Sequence, residues 1–203
     1  MEKNETPTKA FCTTREAAKL LGVSLRTVQL WAEAGVLEGW KTGGGHRRIA
    51  RTSVERMFVD RAALPAAETD TALRILVVDD DAAVLRVYER QLGRWPIKST
   101  FITAHNGFDA LVKIGLTLPD LLVADLHMPE MDGFSMLWHL RSMRELAAIA
   151  IVIVTGLAPE EIEARGGVPA GIPILPKPIP FERLRDIATI VAERKRQPAL
   201  QSA

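Results

Sequence analysis

The feature that most limits what this chain can become lies in its second half. Between residues 73 and 196, five short apolar, β-branched runs alternate with five stretches of helical spacing. The runs are Leu73–Asp79, Ile97–Thr103, Asp120–Asp125, Ile149–Thr155 and Gly171–Pro176. The stretches are Ala82–Arg94, Gly107–Leu116, Gly133–Leu146, Pro159–Arg165 and Phe181–Arg196. Ile75–Val78 and Ile151–Val154 are apolar at every position, as strands covered on both faces of a parallel sheet must be. This alternation predicts an open, doubly wound α/β domain with a five-stranded parallel sheet. In such sheets ligands bind outside the carboxyl ends of the strands.

The predicted strand ends are chemically uneven. The first ends in Asp79-Asp80-Asp81, the third in Asp125 and the fourth in Thr155, and Lys177 follows the fifth. Carboxylates gathered at one edge repel one another, so one must take up a proton or the group must hold a cation. A few oxygen donors suit Mg²⁺, which keeps several waters and is usually held by one or two carboxylates and a phosphate. A lysine and a threonine hydroxyl would complete a site for a phosphoryl group. Each residue also has a plainer use: Asp80 or Asp81 can cap the next helix, Thr155 can be a β-branched strand end, and Lys177 a solvated loop residue. What favours the site is that all of them fall on strand ends together.

The segments ILVVDDD (75–81), LLVADLHMPEMDGFSML (121–137), IVIVTG (151–156) and LPKP (175–178) resemble the receiver domain of two-component response regulators. The resemblance covers residues 73–196 and implies a flavodoxin-like receiver fold. It implies that Asp125 is the phosphoacceptor, taking its phosphoryl group from a sensor histidine kinase or phosphotransfer protein. Asp79, Asp80, Asp125 and the backbone carbonyl of His127 would hold Mg²⁺, with Lys177 and Thr155 contacting the phosphoryl oxygens. Met128-Pro129 and Asp132-Gly133 would shape the following loop, Gly133 through its permissive backbone, and Lys177-Pro178 is a candidate cis peptide. His105 and His127 read as surface or packing residues rather than imidazole ligands. One departure stands out. Receivers usually carry an aromatic residue or histidine three positions before the lysine, and here that position is Ile174. The Glu160–Gly171 region, with Gly166, Gly167 and Gly171, is expected to be mobile.

The first segment has a different character. Residues 13–51 carry seven Lys/Arg against three acidic residues, whereas residues 71–203 carry 15 basic and 16 acidic side chains. A basic module beside a near-neutral one points to a polyanion-binding part. Thr13, Thr14 and Glu16 open a helix that ends at Gly22; Ser24 caps a second, Leu25–Glu33, stopped at Gly35. Such a pair predicts a helix-turn-helix. Val28 and Trp31 share an apolar face with Leu20 and Leu21; Arg26, Thr27, Gln29 and Leu30 lie on or beside the other. Trp40–Ile49 reads as a hairpin around Gly43-Gly44-Gly45, and a further helix follows Thr52 or Ser53.

VSLRTVQLW and TGGGHRRI, within residues 13–49, resemble the winged helix-turn-helix of the MerR and excisionase families. By that resemblance helix 25–33 enters the major groove of double-stranded DNA with Arg26, Thr27 and Gln29 nearest the bases. The wing, through Lys41, His46, Arg47 and Arg48, would grip the adjacent backbone or minor groove.

The boundaries expected are residues 11–61 for the winged domain, 62–72 for a linker and 73–196 for the receiver, with a fraying tail from Gln197. The single cysteine, Cys12, excludes an internal disulfide framework and reads as a buried, neutral thiol. No apolar run approaches a membrane span, and the polar first residues do not resemble a signal peptide, so a cytoplasmic, non-enzymatic, DNA-binding response regulator is expected. One DNA-binding module buries little area, which points to a homodimer through the receiver. Two other readings stand beside this one. The N-terminal module could be a protein-docking adaptor. A phosphatase of the haloacid dehalogenase type also uses an Asp, a Thr and a Lys, but it would need a further acidic motif where only Glu182 and Asp186 follow, and it leaves Asp125 without a role.

Overall fold

A computed structural model describes residues 10–62, 72–128, 133–141 and 148–200. The chain divides into two compact units, Met1–Leu64 and Pro65–Ala203.

The first unit begins with a strand that the sequence reading missed, β1 (Phe11–Thr13). Then come α1 (Thr14–Leu21), α2 (Leu25–Glu33), β2 (Gly39–Lys41), β3 (Arg47–Ala50) and α3 (Arg51–Ala62). Both helix starts are capped as expected. Thr13 and Glu16 form a reciprocal capping box, and the Ser24 hydroxyl accepts from the Thr27 amide at 3.0 Å. Gly22 ends α1 in the left-handed region, φ 67°, where glycine alone carries no steric penalty. The strands form an antiparallel sheet in the order β1-β3-β2. Its inner face places Cys12 opposite Ile49, both buried, while Val28 and Trp31 are completely buried in the helical core. Leu20 and Leu30 depart from expectation. Leu20 is exposed because α1 turns Ala17, Ala18 and Leu21 inward, and Leu30 is buried because α2 turns it toward the core with Thr27, Val28 and Trp31.

The second unit alternates β4 (Leu73–Val78), α4 (Ala82–Leu92), β5 (Ser99–Ala104), α5 (Gly107–Thr117), β6 (Leu121–Ala124), α6 (Gly133–Arg141), β7 (Ala150–Thr155), α7 (Pro159–Ala164), β8 (Ile174–Pro176) and α8 (Phe181–Leu200). All pairings are parallel, in the order β5-β4-β6-β7-β8. This is the doubly wound, flavodoxin-like arrangement. Ile75–Val78 is buried at every position, as the two-sided apolar pattern predicted; of Ile151–Val154, Ile151 is half-buried and the other three are buried, and Leu121–Ala124 is buried throughout as well. Leu85, Tyr88 and Leu92 of α4 and Leu184, Ala188 and Ala192 of α8 pack with the strands in one core.

Two boundaries differ from the sequence reading. α3 runs to Ala62, the residue at which the linker was expected to begin, and α8 continues to Leu200 past the expected fray at Gln197. Residues 63–71 of the linker, Pro129 and Asp132 of the loop, and 142–146 of the helix expected over Gly133–Leu146 lie outside the described residues.

Candidate functional site

β4 and β6 are neighbours in register, Val78 opposite Ala124, so Asp79 and Asp125 emerge side by side at their carboxyl ends. Both are almost fully buried, 2% and 6% exposed. Lys177 lies beyond β8, its amide donating to the Thr155 carbonyl at 2.9 Å. Its ammonium donates to Asp79 Oδ2 at 2.8 Å and to Asp125 Oδ2 at 2.7 Å. The Lys177-Pro178 peptide is cis, as expected.

The second oxygens are also engaged. Asp79 Oδ1 accepts from the Asp81 amide, and Asp125 Oδ1 from the His127 amide, each at 3.0 Å. Burial works to lower the lysine's pKa. The hydrogen bonds and negative charges of Asp125 and Asp79 outweigh it, so the ammonium is held charged to above the ordinary lysine value. Tyr88, buried on α4, has its phenol pKa raised by burial and then by the charges of Asp79 and Asp125.

Thr155 ends β7 and is buried, its hydroxyl accepting from the Leu157 amide at 3.3 Å. Asp80 is exposed beside Asp79. Asp81, rather than Asp80, caps α4, accepting from the Ala83 amide at 2.7 Å. Gly133 needs to be glycine for a different reason from the one expected. Its φ is not positive; instead, a Cβ there would collide with the Asp125 carbonyl oxygen, and the Gly133 amide donates to the Leu126 carbonyl at 3.1 Å. The start of α6 is thus seated directly on the Asp125 and Leu126 backbone. His127 is exposed, and Ile174 is 41% exposed at the start of β8.

Among the described residues no three His, Cys, Asp or Glu side chains are grouped so that they could hold a metal ion. The two carboxylates that do stand together, Asp79 and Asp125, are hard oxygen donors. Such a pair suits a cation such as Mg²⁺ that keeps much of its water.

In the first unit the expected DNA-facing residues divide. Arg26 is exposed and Gln29 half-buried on α2. Thr27 does not belong with them: it is buried, with its hydroxyl 2.9 Å from the Ser24 hydroxyl, and serves the helix start. On the hairpin, Lys41 and His46 are exposed, and the Thr42 amide donates to the His46 carbonyl at 2.8 Å to close the turn. Arg47 and Arg48 are successive strand residues and therefore point to opposite faces. Arg47 reaches back to Glu33 at the end of α2, 3.6 Å away. Arg48 shares its face with Trp40, its cross-strand partner, and Trp40 packs edge-on against Phe11 at 4.3 Å.

The sequence reading missed a second ionic cluster, at the opposite end of the sheet. Asp120 Oδ2 accepts from Lys195 Nζ at 2.8 Å and from the Arg74 amide at 2.7 Å, and Lys195 also donates to the Ala72 carbonyl. Nothing in local sequence signals partners 46 and 75 positions apart.

Fold and site together define a class: an α/β domain with an acidic, lysine-bridged strand edge, in one chain with a helix-turn-helix unit. Residues 75–189, more than half the chain, match the response regulator receiver domain, and residues 11–61 match a helix-turn-helix domain. The chain belongs to the response regulator receiver family.

It is 37% identical over 114 residues to the response regulator MprA of Mycobacterium ulcerans, covering 56% of this chain and 47% of that one. It is 31% identical over 112 residues to the transcriptional regulatory protein ZraR of Salmonella typhimurium, covering 55% and 24%. The chain therefore spans less than half the length of these relatives. Among solved structures, the receiver domain of a signal transduction histidine kinase from Syntrophus aciditrophicus superposes with a TM-score of 0.54 at 25% identity, over 60% of this chain and 91% of that one. The Francisella response regulator 1452 receiver domain gives 0.50 at 26%, over 60% and 98%. No helix among the described residues is long and apolar enough to cross a membrane.

Proposed function

We propose that this chain is a cytoplasmic, DNA-binding response regulator that accepts a phosphoryl group on Asp125. The observation that carries this reading is the pair of buried carboxylates, Asp79 and Asp125, bridged by the Lys177 ammonium at the sheet's carboxyl edge. In the transfer, an Asp125 carboxylate oxygen bonds to phosphorus while the P–N bond of a partner's phosphohistidine breaks and the imidazole leaves. Lys177 offsets charge on the phosphoryl oxygens, and the Thr155 hydroxyl leaves the Leu157 amide to donate to one of them. Catalysis of this kind rests on positioning and charge neutralisation. Asp79, Asp80, Asp125 and the His127 carbonyl would hold Mg²⁺, which supplies positive charge to the phosphoryl oxygens when bound. Asp125 is itself modified, so the chain is a phosphoryl acceptor rather than a turnover enzyme.

The N-terminal unit is read as a winged helix-turn-helix of MerR or excisionase type, supported by the order of its helices and hairpin. α2 would present Arg26 and Gln29 to the major groove, and Lys41, His46, Arg47 and Arg48 would contact the backbone from the wing. Two copies joined through the receiver would supply the contact area one module lacks.

A salt-dependent gel shift on duplex DNA, before and after treatment with acetyl phosphate and Mg²⁺, tests the coupling. The reading expects a shift that is lost in Arg47→Ala/Arg48→Ala and altered by the phosphodonor. Absence of any shift would favour the protein-docking adaptor.

A further inference from the structure

Receivers that signal through an aromatic residue before the lysine have a ring to move; here that position is Ile174, an aliphatic residue at the surface. We propose that the contact between Phe134 and Arg165 takes over the relay from the acceptor site to α7. The proposal rests on the reading of Asp125 as phosphoacceptor.

Four observations support it. Gly133 packs on the Asp125 and Leu126 backbone with no room for a Cβ, so a displacement of the acceptor's backbone reaches α6 directly. Phe134, the next residue, is buried, and the Arg165 guanidinium lies over its ring, 5.9 Å from the centroid. Arg165 caps the C-terminus of α7. α7 has six residues, of which only Ile162 is buried, and the left-handed Gly166 and Gly167 follow it. A helix so lightly anchored belongs to the low-stability parts of a fold, from which moving elements are drawn.

α7 therefore receives the site's state at both ends. Thr155 and the Leu157 amide act at its start, and the Phe134–Arg165 contact acts at its end. Cation–π pairing needs the guanidinium over the ring face, so a modest rotation of α6 loosens it. Phe134, Leu137 and Trp138 also line an open cavity of about 320 Å³ together with residues 166–170. Trp138 is 61% exposed one turn beyond Phe134, which makes it a native reporter of this corner.

The test is hydrogen exchange of residues 159–167 in the full chain, with and without acetyl phosphate and Mg²⁺. Phosphoryl uptake is followed by intact mass, and tryptophan fluorescence is compared with Trp138→Phe to isolate the Trp138 signal. In the parent, phosphorylation should change exchange in α7 by about threefold or more and shift the Trp138 signal. Arg165→Gln and Phe134→Leu should take up phosphoryl to the parent's extent but lose both responses, and Arg165→Lys should keep part of them. Equal α7 responses in parent and variants would overturn the relay alone, as would uptake in the parent with no α7 response. No uptake by the parent would overturn the acceptor reading and the relay with it.

Discussion

Lys177 and Asp125 are 52 positions apart in sequence, yet the lysine's ammonium stands 2.7 Å from Asp125 Oδ2 and bridges to Asp79 at 2.8 Å. Two carboxylates buried side by side must share a proton or face a cation, and here the cation is the Lys177 ammonium. The lysine is therefore structural before it is functional.

Removing it should destabilise the receiver unit. Lys177→Met leaves two facing buried carboxylates, and breaking a buried pair in this way costs about 3–5 kcal/mol; the partial exposure of Lys177 puts the expectation at the lower end. Urea unfolding of the parent and the variant at pH 7 checks this; equal midpoints would contradict it.

Cys12 faces Ile49 on the inner face of the small sheet, and burial, followed by the charge of Glu16, raises its thiol pKa against the opposing effect of Arg51. A raised pKa favours the neutral thiol in the folded state. The associated stability is complete below the ordinary thiol value and falls as pH rises above it. At pH 8 the native protein should react with iodoacetamide at least about tenfold more slowly than the urea-unfolded chain. Equal rates would show the thiol accessible.

The glycines make a paired prediction. Gly133→Ala must push its methyl into the Asp125 carbonyl and should cost about 2 kcal/mol or more, because overpacking forces backbone shifts. Gly43→Ala, at the wing tip, meets nothing within 4 Å and does not require a positive φ, so it should change stability by less than about 0.5 kcal/mol. Denaturant midpoints of the two variants should separate clearly.

Within the first unit, Thr27→Ala should act mainly on folding, since Thr27 is buried at the start of α2 beside Ser24. A loss of about 1 kcal/mol is expected by unfolding. Arg48→Ala, by contrast, should leave stability unchanged and lower the slope of log affinity against log salt by about one. A Thr27 variant with parental stability and relaxed base preference would restore the residue to the DNA-facing set.

The parallel sheet was legible because short apolar runs alternate five times with stretches of helical spacing, and the central runs are apolar on both faces. Asp79, Asp125, Thr155 and Lys177 were legible because strand ends in such a sheet converge on one edge. β1 escaped notice since three residues, Phe11–Thr13, carry no periodicity and become a strand only by pairing with β3. The burial of Thr27 and Leu30 depends on how α2 is rotated against α1 and α3, which the short helix's own pattern leaves open. The opposed directions of Arg47 and Arg48 follow from strand geometry, but only once the hairpin's register is known. The Asp120–Lys195 pair is a product of tertiary closure alone.

The measurement that bears most directly on the central claim is the intact mass of the full chain after incubation with Mg²⁺ and acetyl phosphate, beside Asp125→Asn. A gain of one phosphoryl group in the parent and none in the variant is the predicted result. Equal uptake by both, or none in the folded parent, would contradict the assignment of Asp125 as the acceptor.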